Sequence, residues 1–80
     1  MQINLISCET EEQEKEVIKM LKEKYKNNPN CKFREISETF ILPDKMWIIT
    51  PHYLVKMLTK RKPETKVYSM EVIKNALLKN

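Results

Sequence analysis

The fold is decided by the stretch QINLISCET, residues 2–10, which predicts a strand followed at once by a helix. Apolar side chains occupy both faces of this strand, with Ile3 and Leu5 on one side and Ile6 and Cys8 on the other. A strand that is apolar on both faces is typical of the centre of a sheet. We therefore predict a central strand whose chain leaves through a helix and returns, by a right-handed crossover, to a parallel neighbour.

The helix is predicted to begin at Thr10, because Thr10 and Gln13 have the spacing of a capping box. Glutamates fill its first turn, where the helix dipole favours anions. One apolar stripe runs along it, formed by Val17, Ile18, Leu21 and Tyr25. The segment 27–30, Asn-Asn-Pro-Asn, ends it, since asparagine tolerates the left-handed conformation and proline cannot continue a helix.

Residues 31–42 read as an extended segment with one interruption. The apolar positions change parity along it, which predicts a bulge or break near Arg34 and Glu35. Pro43 and Asp44 suit the central positions of a turn, and residues 46–49 then return as the partner strand of a hairpin.

The remaining chain is predicted to be mostly helical. Thr50 as N-cap and Pro51 as first residue start a helix that runs to about Arg61. A last helix covers about 69–78, and residues 66–68 are either a short strand or an early helical turn.

The predicted order is β-α-β-β-α-(β)-α in a single small domain, residues 1–80. We expect an α+β fold, with a small mixed sheet of three strands, or four, and helices packed on one face. One core is expected to hold Leu5, Val17, Ile18, Leu21, Ile48, Leu54 and Leu58.

Composition excludes several classes of protein. The chain contains no glycine, so P-loops, dinucleotide-binding turns and EF-hands are excluded, because each needs glycine's backbone freedom. No apolar run approaches the roughly 18–20 residues of a membrane-spanning helix. Residues 1–4 lack the features of a secretory leader, and together with only two cysteines this predicts reduced thiols in the cytoplasm.

Residues suited to catalysis or metal binding are few. Cys8, Cys31 and His52 are too few and too far apart for a zinc site, so we predict no metal and no cofactor. Cys8 stands at the end of a strand and just before a helix, a position that can lower a thiol pKa. The glutamates beside Cys8 disfavour its negatively charged thiolate form. We therefore predict that the protein is a non-enzymatic binding module.

Charge is unevenly distributed along the chain. Residues 1–44 carry seven Lys and Arg against nine Asp and Glu, whereas residues 45–80 carry eight against two, a net charge of +6. The densest cations, with two nearby tyrosines, are Lys56, Lys60, Arg61, Lys62, Lys66, Tyr53 and Tyr68. Such a patch is typical of nucleic-acid binding. Lysine serves phosphates better than bases, so low sequence specificity is expected.

Two alternatives remain open from the sequence. Residues 52–78 could form a helix-turn-helix if the second helix began at Glu64. The abundance of lysine, isoleucine and asparagine is typical of AT-rich genes. It favours, as the alternative function, a phage-type or mobile-element protein that inhibits a host protein, with Trp47 and Met46 in the contact.

Overall fold

The computed structural model describes residues 1–78, with side chains up to Ala76, and shows an α+β fold built on a five-stranded mixed sheet. The strand order is β2-β3-β4-β1-β5. The elements are β1 (Gln2–Cys8), α1 (Glu11–Lys24), β2 (Lys32–Arg34), β3 (Thr39–Ile41), β4 (Lys45–Pro51), α2 (Val55–Arg61), β5 (Lys66–Ser69) and α3 (Met70–Leu78). The predicted class is confirmed, while the sheet has more strands than the three or four expected.

The strand β1 lies at the centre of the three parallel strands, as its two apolar faces predict. It pairs in parallel with β4 on one side and β5 on the other, so that Leu5 lies between Ile48 and Val67. The undecided segment 66–68 is therefore part of a strand. Because this strand separates α2 from α3, the helix-turn-helix alternative is wrong.

The segment 31–42 forms two strands rather than one interrupted strand. The predicted bulge or break near Arg34 and Glu35 is a break: β2 ends at Arg34, and a turn follows in which the Glu38 backbone amide donates to the Glu35 carbonyl at 3.2 Å and the Ile36 side chain is fully exposed. Glu38 has a φ of 47°, a left-handed conformation that glycine adopts most easily. Because the chain contains no glycine, a glutamate adopts it here. Strands β2, β3 and β4 thus form an antiparallel meander.

The main core lies between one face of the sheet and the helices α1 and α3. From β1 it takes Ile6 and Cys8, and from α1 it takes Val17 and Leu21, each at most 1% exposed. Ile73 of α3 completes the contact. The prediction that helices pack on one face of the sheet is therefore correct for α1 and α3.

The other face of the sheet is also covered. Leu5 points away from the main core and yet is only 1% exposed, while Leu54 and Leu58 are half-buried. Leu54 ends a single turn of 3-10 helix, His52–Leu54, which leads into α2. A right-handed return from β4 to β5 places this segment across that face. The single core expected from the sequence is therefore only partly correct, because Val17, Leu21 and the half-buried Ile18 belong to the main core. The other expected members lie outside it: Leu5, Ile48, Leu54 and Leu58.

The second helix begins later than predicted. Thr50 and Pro51 remain in β4, with Pro51 at ψ 143°, and the Thr50 hydroxyl donates to the Pro51 carbonyl instead of capping a helix. α3 begins at Met70, where the Ser69 hydroxyl accepts from the Val72 amide at 3.3 Å. None of the helices described is long and apolar enough to cross a membrane.

Candidate nucleic-acid interface

The sheet topology places the two ends of each helix at opposite edges of the sheet. The parallel strands β1, β4 and β5 share one edge at their amino ends and one at their carboxyl ends. α1 begins at the carboxyl edge, just after Cys8. Its 14 residues span about 21 Å at 1.5 Å per residue, which is close to the length of a seven-residue strand. The last turns of α1 therefore reach the amino edge. α2 runs in the same direction, because it connects the end of β4 to the start of β5.

Cations from five elements and from the turns after α1 and α2 meet at the amino edge, which we call the basic edge. Its members are Lys22, Lys24, Lys26, Lys32, Lys45, Lys60, Arg61, Lys62 and Lys66. All are exposed except Lys45, which is half-buried. Two are held against aromatic rings: the Lys22 Nζ lies 4.7 Å from the centroid of Phe33, and the Lys45 Nζ lies 6.0 Å from that of Trp47. The ring faces attract these ammonium groups.

Most cations of the basic edge have no carboxylate partner in the described part of the chain. Lys26 pairs with Glu23 at 2.7 Å, and the other ion pair described, between Lys74 and Glu16, belongs to the interface of α1 with α3. The exposed Lys26 pair contributes little to stability. The basic edge is therefore free to attract an external anion.

The carboxyl edge carries the opposite charge. Its acidic residues are Glu9, Glu11, Glu12, Glu14, Glu35, Glu38 and Glu71. Burial raises the pKa of Glu14, and the nearby Glu38 and Glu11 raise it further. An anion is repelled at this edge, whereas the basic edge carries nine cations against the carboxylates of Glu23, Asp44 and Glu64.

A crevice at the carboxyl edge is lined by Ser7 and His52, whose side chains form a hydrogen bond. The Ser7 Oγ and the His52 Nδ1 lie 2.7 Å apart in this crevice, and His52 and Glu9 also line a second, neighbouring crevice. A nucleophilic serine needs a base that a third group orients. In the described chain, His52 makes no second side-chain hydrogen bond of that kind. The contact ties the 3-10 turn to β1.

Cys8 lines the second crevice, but its thiol is not activated there. Burial raises the pKa of Cys8 to about 11, and Glu14 and Glu38 contribute to the rise. Cys31 is half-buried, and burial raises its pKa as well. Both thiols are free. At neutral pH Cys8 is protonated, so the geometry gives no support to thiol catalysis.

Metal binding also finds no support in the described residues. No group of three or more His, Cys, Asp or Glu side chains there lies close enough to hold an ion.

The structure divides the predicted nucleic-acid site. Four of its cations, Lys60, Arg61, Lys62 and Lys66, lie at the basic edge, and Lys56 is exposed one helical turn before Lys60.

Neither predicted tyrosine lies at the basic edge in an accessible position. Tyr53 is 80% exposed but belongs to the 3-10 turn at the carboxyl edge. Tyr68 is half-buried and packs against Trp47, with ring centroids 5.7 Å apart.

Sequence reasoning missed the basic-edge residues outside the C-terminal segment, namely Lys22, Lys24, Lys26, Lys32 and Lys45. A signal for part of this set was present: α1 is long enough to span a strand and ends in lysines, so the predicted strand–helix–strand unit already places them at the amino edge.

The two residues predicted to contact a partner protein are only partly exposed. Trp47 and Met46 are both half-buried, and the Trp47 ring packs against the main core. The Trp47 Nε1 is buried and has no hydrogen-bond partner among the described residues. A partner could not use this group without rearrangement of the core.

Comparisons with models of known protein families, with curated proteins and with solved structures gave no match. Function is therefore inferred from the residues and their placement.

Proposed function

We propose that this protein binds nucleic acid through the basic edge, with little sequence specificity and without catalysis. The observation that carries the proposal is the convergence of cations from helices α1 and α2 and from separate strands on one side of the sheet. Clustering of this kind on one face is the electrostatic footprint of nucleic-acid binding. The acidic carboxyl edge supports the same proposal, because it orients a polyanion toward the basic edge alone.

The type of cation accounts for the low specificity. Eight of the nine members of the basic edge are lysines, which act as point charges toward phosphates. Base recognition favours arginine, asparagine or glutamine side chains that form paired hydrogen bonds. Arg61 is the one residue of the set with that geometry, so it can add at most a local preference.

Charge reversal at the end of α2 tests the proposal. The double variant K60E/R61E should bind a generic 20-base-pair duplex at least about tenfold more weakly at 0.1 M salt, because two phosphate contacts are lost and two repulsions are added. Fluorescence anisotropy with a labelled duplex measures the change. Both side chains are exposed, so the fold should persist, as circular dichroism can verify.

The matched control is K15E/K19E, which changes the net charge equally but lies in the middle of α1. It should weaken binding by less than about threefold, since it acts only through long-range, screened charge. Equal losses in the two variants would show that binding follows net charge and not the basic edge. If wild-type protein binds no duplex or single strand even at low salt, the proposal fails, and a protein partner becomes the better explanation.

A further inference from the structure

We infer that the nucleic acid recognised at the basic edge is a duplex, held by its phosphates and not by its bases. This inference rests on the proposed function and narrows it to one class of ligand. It is carried by the position of the aromatic side chains relative to the cations.

Proteins that bind single strands combine a basic groove with exposed aromatic rings on which the bases stack. The basic edge has the cations but lacks the rings. Phe33 is half-buried and has the Lys22 ammonium over its ring, while Tyr25 is half-buried against the main core with the Lys24 ammonium 5.9 Å from its ring centroid.

The remaining aromatic side chains near this edge are no more accessible. Trp47 and Tyr68 are half-buried against the main core and pack on each other, with ring centroids 5.7 Å apart and ring planes tilted by 51°. A base that reached the basic edge would therefore find ammonium groups and no free ring to stack on.

Among the described residues, the one well-exposed aromatic ring is that of Tyr53, and it lies at the edge opposite to the cations. It is 80% exposed at the carboxyl edge, in a crevice lined by Glu9, Glu11 and Glu14. A single strand that ran from the basic edge to this ring would have to bring its phosphates past those carboxylates. The repulsion between like charges makes this path unfavourable.

A duplex avoids both difficulties. Its bases are already stacked, and it carries one charge per about 1.7 Å of axis, twice the density of one of its strands. The cations of the basic edge are spread over several elements of a molecule 34 × 26 × 25 Å in extent. Such a spread suits two rows of phosphates better than the backbone of one strand.

The test compares a 20-base-pair DNA duplex, an RNA duplex of the same sequence and the separate, unstructured single strands. Four phosphate contacts give salt slopes of about −3.6 on a duplex and −2.8 on a single strand. If the affinities are equal at 1 M salt, this difference alone favours the duplex by about sixfold at 0.1 M salt. We expect at least that preference, for DNA, RNA or both, and we expect Y53A to bind every ligand as wild type does.

Equal or tighter binding of the single strands would overturn the inference while leaving the proposed function intact. Loss of single-strand binding in Y53A would do the same, because it would place the bases on that ring. The variant K60E/R61E tests the proposed function separately from the duplex preference. If the basic edge is the binding site, this variant should bind duplexes and single strands more weakly than wild type. Absence of binding to every duplex and every single strand would remove the proposed function together with the inference.

Discussion

At the residue scale, Cys8 shows how the chain context alters the chemistry that a position suggests. A cysteine between a strand and a helix N-terminus is placed to lose its proton, yet burial and two carboxylates raise the pKa of Cys8 to about 11. The apolar residues on both faces of β1 predict burial. The sequence predicts that Glu9, Glu11 and Glu12 oppose a thiolate, whereas the carboxylates that raise this pKa are Glu14 and Glu38. The role of Glu38 could not be predicted, because its position depends on the pairing of β3 with β4, far along the chain.

This pKa predicts the order in which the thiols react. At pH 8 only about one Cys8 thiol in a thousand is ionised if its pKa is about 11. Iodoacetamide should therefore alkylate the half-buried Cys31 first. Mass spectrometry of tryptic peptides over time follows both sites.

The pH dependence has a definite sign. The rate at Cys8 should rise about tenfold per unit between pH 8 and 10, since the thiolate fraction grows until the pH reaches the pKa. C31A isolates the Cys8 reaction for this measurement. Faster labelling of Cys8 than of Cys31 at pH 8, or a plateau below pH 9, would contradict the buried, protonated thiol.

At the scale of elements, α1 was predictable and the short strands were not. The Thr10 hydroxyl accepts from the Gln13 amide at 3.1 Å, as the capping box predicts, although the Gln13 side chain accepts from the Glu9 amide rather than from Thr10. A 14-residue helix shows several periods of its apolar stripe. The strands β2 and β3 have three residues each, too few to show a period, although their partners are near in sequence.

The packing of α1 predicts a specific loss of stability. Leu21 is 1% exposed in the main core, so L21A should lower the free energy of unfolding by about 2–5 kcal/mol through lost burial and a cavity. M57A is the control, because Met57 is 52% exposed and should change stability by less than about 0.5 kcal/mol. Urea unfolding measures both. A loss at L21A no larger than at M57A would mean that α1 does not pack on the sheet as described.

At the scale of the whole molecule, the central property is the separation of charge between the two edges of the sheet. Counting along the chain reveals only part of it, because α1 contributes glutamates to one edge and lysines to the other, and these nearly cancel within residues 1–44. The direction of the helix separates them in space. The predicted basic segment is thus a part of a larger surface. The lysines at the end of α1 could have been added from the predicted strand–helix–strand unit, whereas Lys32 and Lys45 required the sheet topology.

The salt dependence of duplex binding tests this account most directly. With three to five phosphate contacts, log affinity should fall against log salt with a slope of about −3 to −4.5. Replacing Lys24 and Lys26 by glutamine should make the slope less steep by up to about 1.8, because each contact contributes about 0.9. K15Q/K19Q, on the same helix but away from the basic edge, should leave it unchanged. A flat salt dependence, or equal effects of the two pairs, would contradict the assignment of the basic edge as the binding surface.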